Sequence, residues 1–109
     1  MRVINAEFVP AIASRHGPSV PKRVLLGEGL PSVPQVAIAE VPGATETESH
    51  IHPTMYEVYF ILEGLARFWV GEETFEVTAE DFFIVPPNTP HHFSCPGSLR
   101  MFYFGVALL

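Results

Sequence analysis

The chain has little with which to hold a polyanion. It carries six lysines and arginines against twelve aspartates and glutamates, a net charge of −6, and the six are scattered without forming a patch. Nucleic-acid binding needs clustered cations, so no nucleic-acid partner is expected. Cysteine is scarcer still: Cys95 stands alone, which rules out an internal disulfide and fits a reducing cytoplasm. No apolar run approaches the roughly 20 residues of a membrane-spanning helix. Asn5, Glu7 and Pro10 interrupt the start, where a signal peptide would need an unbroken apolar core. A cytoplasmic protein without a membrane partner is therefore expected.

What the chain does have is apolar bulk. Of its 109 residues 48% are apolar and 17% charged, and nine are phenylalanine, the composition of one compact β-rich domain rather than of a disordered chain. Residues 1–34 differ from the rest. Pro10, Pro18, Pro21, Pro31 and Pro34 punctuate them, with Gly17, Gly27 and Gly29 between, and no helical period survives that density of breakers. They are expected to form an arm laid over the body of the molecule or over a neighbouring subunit, with short extended pieces at 3–9 and 23–26. Residues 35–109 form the body. There, short apolar segments recur between Gly, Pro and Asn turns, and strands are expected at 36–41, 49–52, 56–62, 66–70, 74–77, 82–85, 91–95 and 99–108. About eight short strands indicate an all-β sandwich or small barrel. The last segment is apolar on both faces apart from Arg100, so a second layer, such as another subunit, is expected to cover it.

Chemistry concentrates between Gly43 and Gly64, GATETESHIHPTMYEVYFILEG. His50 and His52 are two apart, which puts both imidazoles on one face of an extended chain. Pro53 turns the chain, and the returning strand carries Glu57, Tyr59 and Ile61 on one face. Two neutral imidazoles and a carboxylate that converge make a metal site in need of further ligands. A lone His-x-His pair would more often be part of a polar loop. The stretch EDFFIVPPNTPHHFSC, from Glu80 to Cys95, offers a further ligand in either His91 or His92, which face opposite ways if extended.

These two stretches resemble the motifs of the cupins, G-x5-H-x-H-x3-4-E-x6-G and G-x5-P-x-G-x2-H-x3-N. His50, His52, Glu57 and Gly64 match the first, with Gly43 one residue further upstream than the pattern asks. Pro86 and His91 match the second, while Glu80, Asn88 and Cys95 replace its leading Gly, turn Gly and final Asn. Asn tolerates positive φ best after Gly, so Asn88 suits that turn. The resemblance covers about residues 35–107 and implies a double-stranded β-helix, or jelly-roll, cupin barrel. It implies one divalent transition metal per chain (Mn, Fe, Ni, Zn or Cu) on His50, His52, Glu57 and His91, with His92 outside the ligand set. It also implies a homodimer.

Tyr59, Ile61, Phe68, Phe93, Cys95, Met101 and Tyr103 are candidates for the pocket wall around the metal. Tyr59, His92 and Tyr103 are candidates for moving protons, because Glu57 is committed as a ligand. In a β-barrel such aromatic residues are more often core than ligand contacts. Arg67, if inward, would anchor a substrate carboxylate; outward, it is a solvated strand residue, the commoner case. The functional expectation is a metal-dependent enzyme of dioxygenase, isomerase/epimerase or decarboxylase type, acting on a small oxygen-rich molecule. The competing expectation is a non-catalytic module that binds or senses a small ligand or the metal.

Overall fold

The computed structural model describes residues 4–27 and 30–108, and its regular structure is almost wholly strand. The strands are β1 (Ile12–Ser14), β2 (Gly17–Leu26), β3 (Val36–Val41), β4 (Thr45–Glu46), β5 (Met55–Glu63), β6 (Leu65–Val70), β7 (Glu73–Thr78), β8 (Phe82–Val85), β9 (His91–Cys95) and β10 (Leu99–Ala107). They form a six-stranded sheet ordered β1-β2-β3-β10-β5-β8 and a four-stranded sheet ordered β4-β9-β6-β7. Every pairing is antiparallel, as the jelly-roll barrel requires.

Alternation along each strand decides what enters the barrel. On β5, Glu57, Tyr59 and Ile61 are buried, while Val58, Phe60 and Leu62 take the other face. On β10 the inward set is Leu99, Met101, Tyr103 and Gly105; on β9 it is His91, Phe93 and Cys95. One end of the barrel is an apolar core around Ile61, Ala66, Phe68, Val77 and Leu99. The polar inward residues, Glu57 and His91, lie at the opposite end from that plug. A layer of aromatic rings separates the two. Tyr59 stacks on Phe83 at 5.0 Å and on Tyr103 at 5.6 Å between ring centres.

Three expectations change on contact with the structure. Residues 49–52 do not form a strand; only His50 bridges, to His91, through N–H···O bonds of 3.0 and 2.9 Å. Pro53 stops the pairing from continuing. Second, the piece expected at 3–9 turns instead through a short 3-10 segment, Ala6–Phe8, capped by the Asn5 side chain, which accepts from the Glu7 N–H. Residues 1–3 lie outside the described part. Third, the piece expected at 23–26 is a strand of ten residues, Gly17–Leu26, in spite of Pro18 and Pro21. The prolines fall where β2 extends beyond its pairing with β3, which covers 22–26 and needs their missing N–H groups least. Through that pairing the β1–β2 hairpin joins the main sheet, which runs on past residue 34 without a break.

Candidate metal centre and cavity

Three segments of the chain deliver four side chains to one point. The loop after β4 brings His50 and His52, β5 brings Glu57, and the first residue of β9 brings His91. Backbone bonds set their positions. His50 and His91 exchange N–H···O bonds, and Asn88 N–H donates to the His52 carbonyl at 2.8 Å. One ligand atom from each of the four lies within 4.8 Å of all the others. The rings of His50 and His91 are 4.1 Å apart between centres, and those of His50 and His52 4.9 Å.

Glu57 is the hub. Its Oε1 accepts from the Tyr59 hydroxyl at 2.9 Å and faces His91 Nε2 at 2.9 Å and His52 Nε2 at 3.3 Å. Burial pushes its carboxyl upward, but the His91 hydrogen bond, His52 and Tyr59 outweigh that and hold it below the usual carboxylate range. His91 Nδ1 lies 2.9 Å from the Thr89 carbonyl, an acceptor only, so that nitrogen carries the proton. Nε2 is left facing the Glu57 carboxylate at 2.9 Å. A proton on Nε2, or a metal shared with Glu57, satisfies that contact. A metal-binding histidine that donates its other N–H to a backbone carbonyl has this arrangement.

His50 gives the same indication from another side: its Nδ1 is buried without a hydrogen-bond partner. Burial, followed by His91, Arg15 and His16, pulls its pKa down to about 3, so the ring is neutral and ready to donate a lone pair. The pKa of His52 is lowered as well, by burial first, against the pull of Glu57. Three imidazoles and one carboxylate form a cluster suited to a divalent transition metal.

Beside the cluster lies a cavity of about 130 Å³, open on one side. Of the residues expected on its wall, Tyr59, Phe93, Met101 and Tyr103 line it. Ile61, Phe68 and Cys95 are on the inward faces too, but deeper, in the apolar plug, at 0%, 1% and 4% exposure. His92 points out of the barrel and stacks on Trp69, with ring centres 4.5 Å apart and planes 5° off parallel, so it has no route to a molecule in the cavity. Arg67 also faces outward and pairs with Glu76 at 2.6 Å. Both tyrosines in the cavity stay protonated at neutral pH. Burial and then Glu57 hold Tyr59 well above its ordinary value and push Tyr103 up to about 12.

Much of the cavity wall comes from residues that the sequence patterns did not single out. The turn of the β1–β2 hairpin brings Ser14, Arg15 and His16 to the rim, and Val20, Lys22, Gln35 and Met55 complete the lining. The His16 ring sits edge-on to His50, 4.8 Å away. Burial and then Arg15 lower its pKa.

Both the sequence and the fold match known proteins. A family model described as a cupin domain matches residues 38–106. An uncharacterized protein of Methanocaldococcus jannaschii is 31% identical over 105 residues, covering 93% of this chain and 82% of its own. A predicted oxalate decarboxylase from Thermotoga maritima superimposes with a TM-score of 0.83 at 18% identity, covering 98% of this chain and 100% of its own. The polyketide cyclase RemF from Streptomyces resistomycificus gives 0.82 at 21% identity, covering 97% of this chain and 79% of its own. At such identities the two structures speak for the fold alone. With the domain model matched over most of its length and the motif residues gathered at one point, the chain belongs to the cupin family.

Proposed function

We propose that this protein is a metal-dependent enzyme that binds one divalent transition metal through His50, His52, Glu57 and His91 and acts on a small, oxygen-rich organic molecule in the adjoining cavity. The observation that carries this reading is the convergence of four ligand atoms, all within 4.8 Å of one another, one of the histidines having a buried ring nitrogen without a hydrogen-bond partner. When bound, the metal supplies Lewis acidity and, if redox-active, a site for dioxygen. The chain's own residues orient and exclude. Tyr59 and Thr89 fix Glu57 and His91, Phe93 and Met101 keep one side of the cavity apolar, and the Tyr103 hydroxyl can donate to a substrate oxygen.

Dioxygenase, decarboxylase and isomerase or epimerase chemistry all suit such a site. The test is turnover. Protein loaded in turn with Fe, Mn, Ni, Zn and Cu is offered diketones, catechol-like compounds and hydroxy acids while oxygen, carbon dioxide and product are followed. Turnover that disappears in His52→Ala supports the enzyme. One observation favours a binding or sensing module instead. Among the lining residues Glu57 is the sole carboxylate and is already tied to three partners, so no free carboxylate is available as an acid or base. Tight binding without conversion of any compound would establish that reading.

A homodimer formed through the outer face of the six-stranded sheet is part of the same proposal, as is a place in the cytoplasm. That face carries Val58, Phe60, Ile84, Phe82, Phe102 and Phe104 in register across β5, β8 and β10. Phe82 and Ile84 are 61% and 48% exposed, an apolar surface beyond what isolated side chains account for. The apolar centre is free of charge, with Arg23, Glu40 and Arg100 paired together at one rim, so it is complementary to a second copy of itself.

A further inference from the structure

The distribution of positive charge adds to the proposed function. Of the six basic residues, Arg2 lies outside the described part. Arg23 and Arg100 pair with Glu40, and Arg67 pairs with Glu76. The remaining two, Arg15 and Lys22, both line the cavity, and among the described residues neither meets a carboxylate. In a chain with twelve acidic residues, two cations left unpaired at the same cavity have an anion as their natural partner.

Lys22 is the better placed of the two. It stands opposite Ala39 on the inward face of β2. Its ammonium donates to the Gln35 side-chain oxygen at 2.8 Å, which leaves two ammonium protons and the Gln35 amide N–H₂ available. Gln35 lies level with Glu57 across the sheet, because its carbonyl accepts from Gly105 N–H and Gly105 is the register partner of Glu57. Two strand spacings separate that row's ends, about 10 Å of backbone, less the inward reach of both side chains. A cavity of about 130 Å³ between them is near the size that holds one benzene-like ring, for which about 150 Å³ suffices. Arg15 is exposed at the mouth, where it can attract an anion without holding it.

We infer that the cavity selects a small organic carboxylate of about one ring, its carboxylate held by Lys22 and Gln35 and its hydroxyl or carbonyl oxygen turned toward His50, His52, Glu57 and His91. This rests on the metal reading of those four residues. It gives Lys22 the substrate-anchoring role that the sequence suggested for an inward Arg67. The hairpin that carries Lys22 thereby becomes part of the specificity of the site.

The test uses zinc-loaded protein, 3,4-dihydroxybenzoate as the probe, and its neutral analogue 3,4-dihydroxybenzamide, with affinities from calorimetry and zinc content from elemental analysis. Lys22→Met should keep its zinc, which also shows that the barrel is folded, and lose about 10- to 100-fold in affinity for the acid, as expected for a charge-assisted hydrogen bond. Affinity for the amide should change less than about twofold, and Lys22→Arg should recover part of the loss for the acid. Equal affinity of wild type and Lys22→Met for the acid, or an equal loss for acid and amide, would overturn the inference. If wild type itself takes up no zinc, the metal reading fails separately. The acid titrated into the metal-free proteins then decides the anion site: a loss confined to Lys22→Met supports it, and equality overturns it.

Discussion

Gly64 turns the chain from β5 into β6, and so from one sheet to the other, with φ at +95°. A Cβ there would run into the Ser98 carbonyl oxygen and crowd Leu99. Gly64→Ala should therefore cost at least about 1–3 kcal/mol, read as a lower denaturation midpoint; an unchanged midpoint would refute the role given to this turn. Glu80 is the opposite case. It stands where the family pattern has glycine, yet it adopts φ +77° and its side chain is exposed. Relief of a left-handed penalty of about 1–2 kcal/mol, less the extra unfolded freedom of glycine, gives a net gain of about 0.5–1 kcal/mol for Glu80→Gly. Equilibrium unfolding would expose the error if the variant proved less stable. Asn88, at φ +56°, occupies the other glycine position of the motif, with the residue type that tolerates it best after glycine.

At the level of elements, β9 shows how alternation separates function from packing. His91 is buried in the cluster at 2% exposure, and His92, the next residue, stacks outside on Trp69. His91→Ala should abolish stoichiometric metal binding in a barrel that still folds. His92→Ala should keep the metal and lose about 0.5–1.5 kcal/mol of stability with the stacked pair. Comparing metal content and unfolding of the two variants checks both at once; metal retained by His91→Ala would discredit the site. The four clustered residues were legible in the sequence because two short motifs carry them at fixed spacing. Parity also gave the inward faces of β5 and β9, but it sets the face and not the depth. Ile61, Phe68 and Cys95 accordingly lie in the plug below the cavity rather than on its wall. His16 and Lys22 could not be read that way. Their approach depends on β2 pairing with β3, a contact between distant parts of the chain, and Pro18 and Pro21 concealed the strand that makes it.

For the whole molecule, the two faces of the six-stranded sheet divide the work. The inner face carries the cavity, and the outer face carries the apolar patch of the proposed dimer contact. Light scattering should give the mass of a dimer. Phe102→Glu, placed opposite Phe60 near the centre of the apolar face, should shift it to monomer, since a stable contact needs about 800 Å² per partner and a buried unpaired charge opposes it. A monomeric wild type would remove the dimer from the account. The all-β class and the places of most strands along the chain followed from short apolar segments between turns, and the jelly-roll barrel from the resemblance of the two motifs to the cupins. The N-terminal hairpin did not, and it supplies much of the cavity rim.

His50, His52, Glu57 and His91 are proposed to hold a metal, and elemental analysis reads its presence. Protein purified without chelators or a metal-affinity tag, and again after reloading, should contain about one divalent transition metal per chain, as one cluster with three nitrogens and one oxygen implies. Its identity would then order the reactions to be tried, iron pointing first to oxygen-consuming chemistry. Protein that holds no metal even after reloading would rule out a metal centre at these four residues and leave the ligand-binding module as the reading.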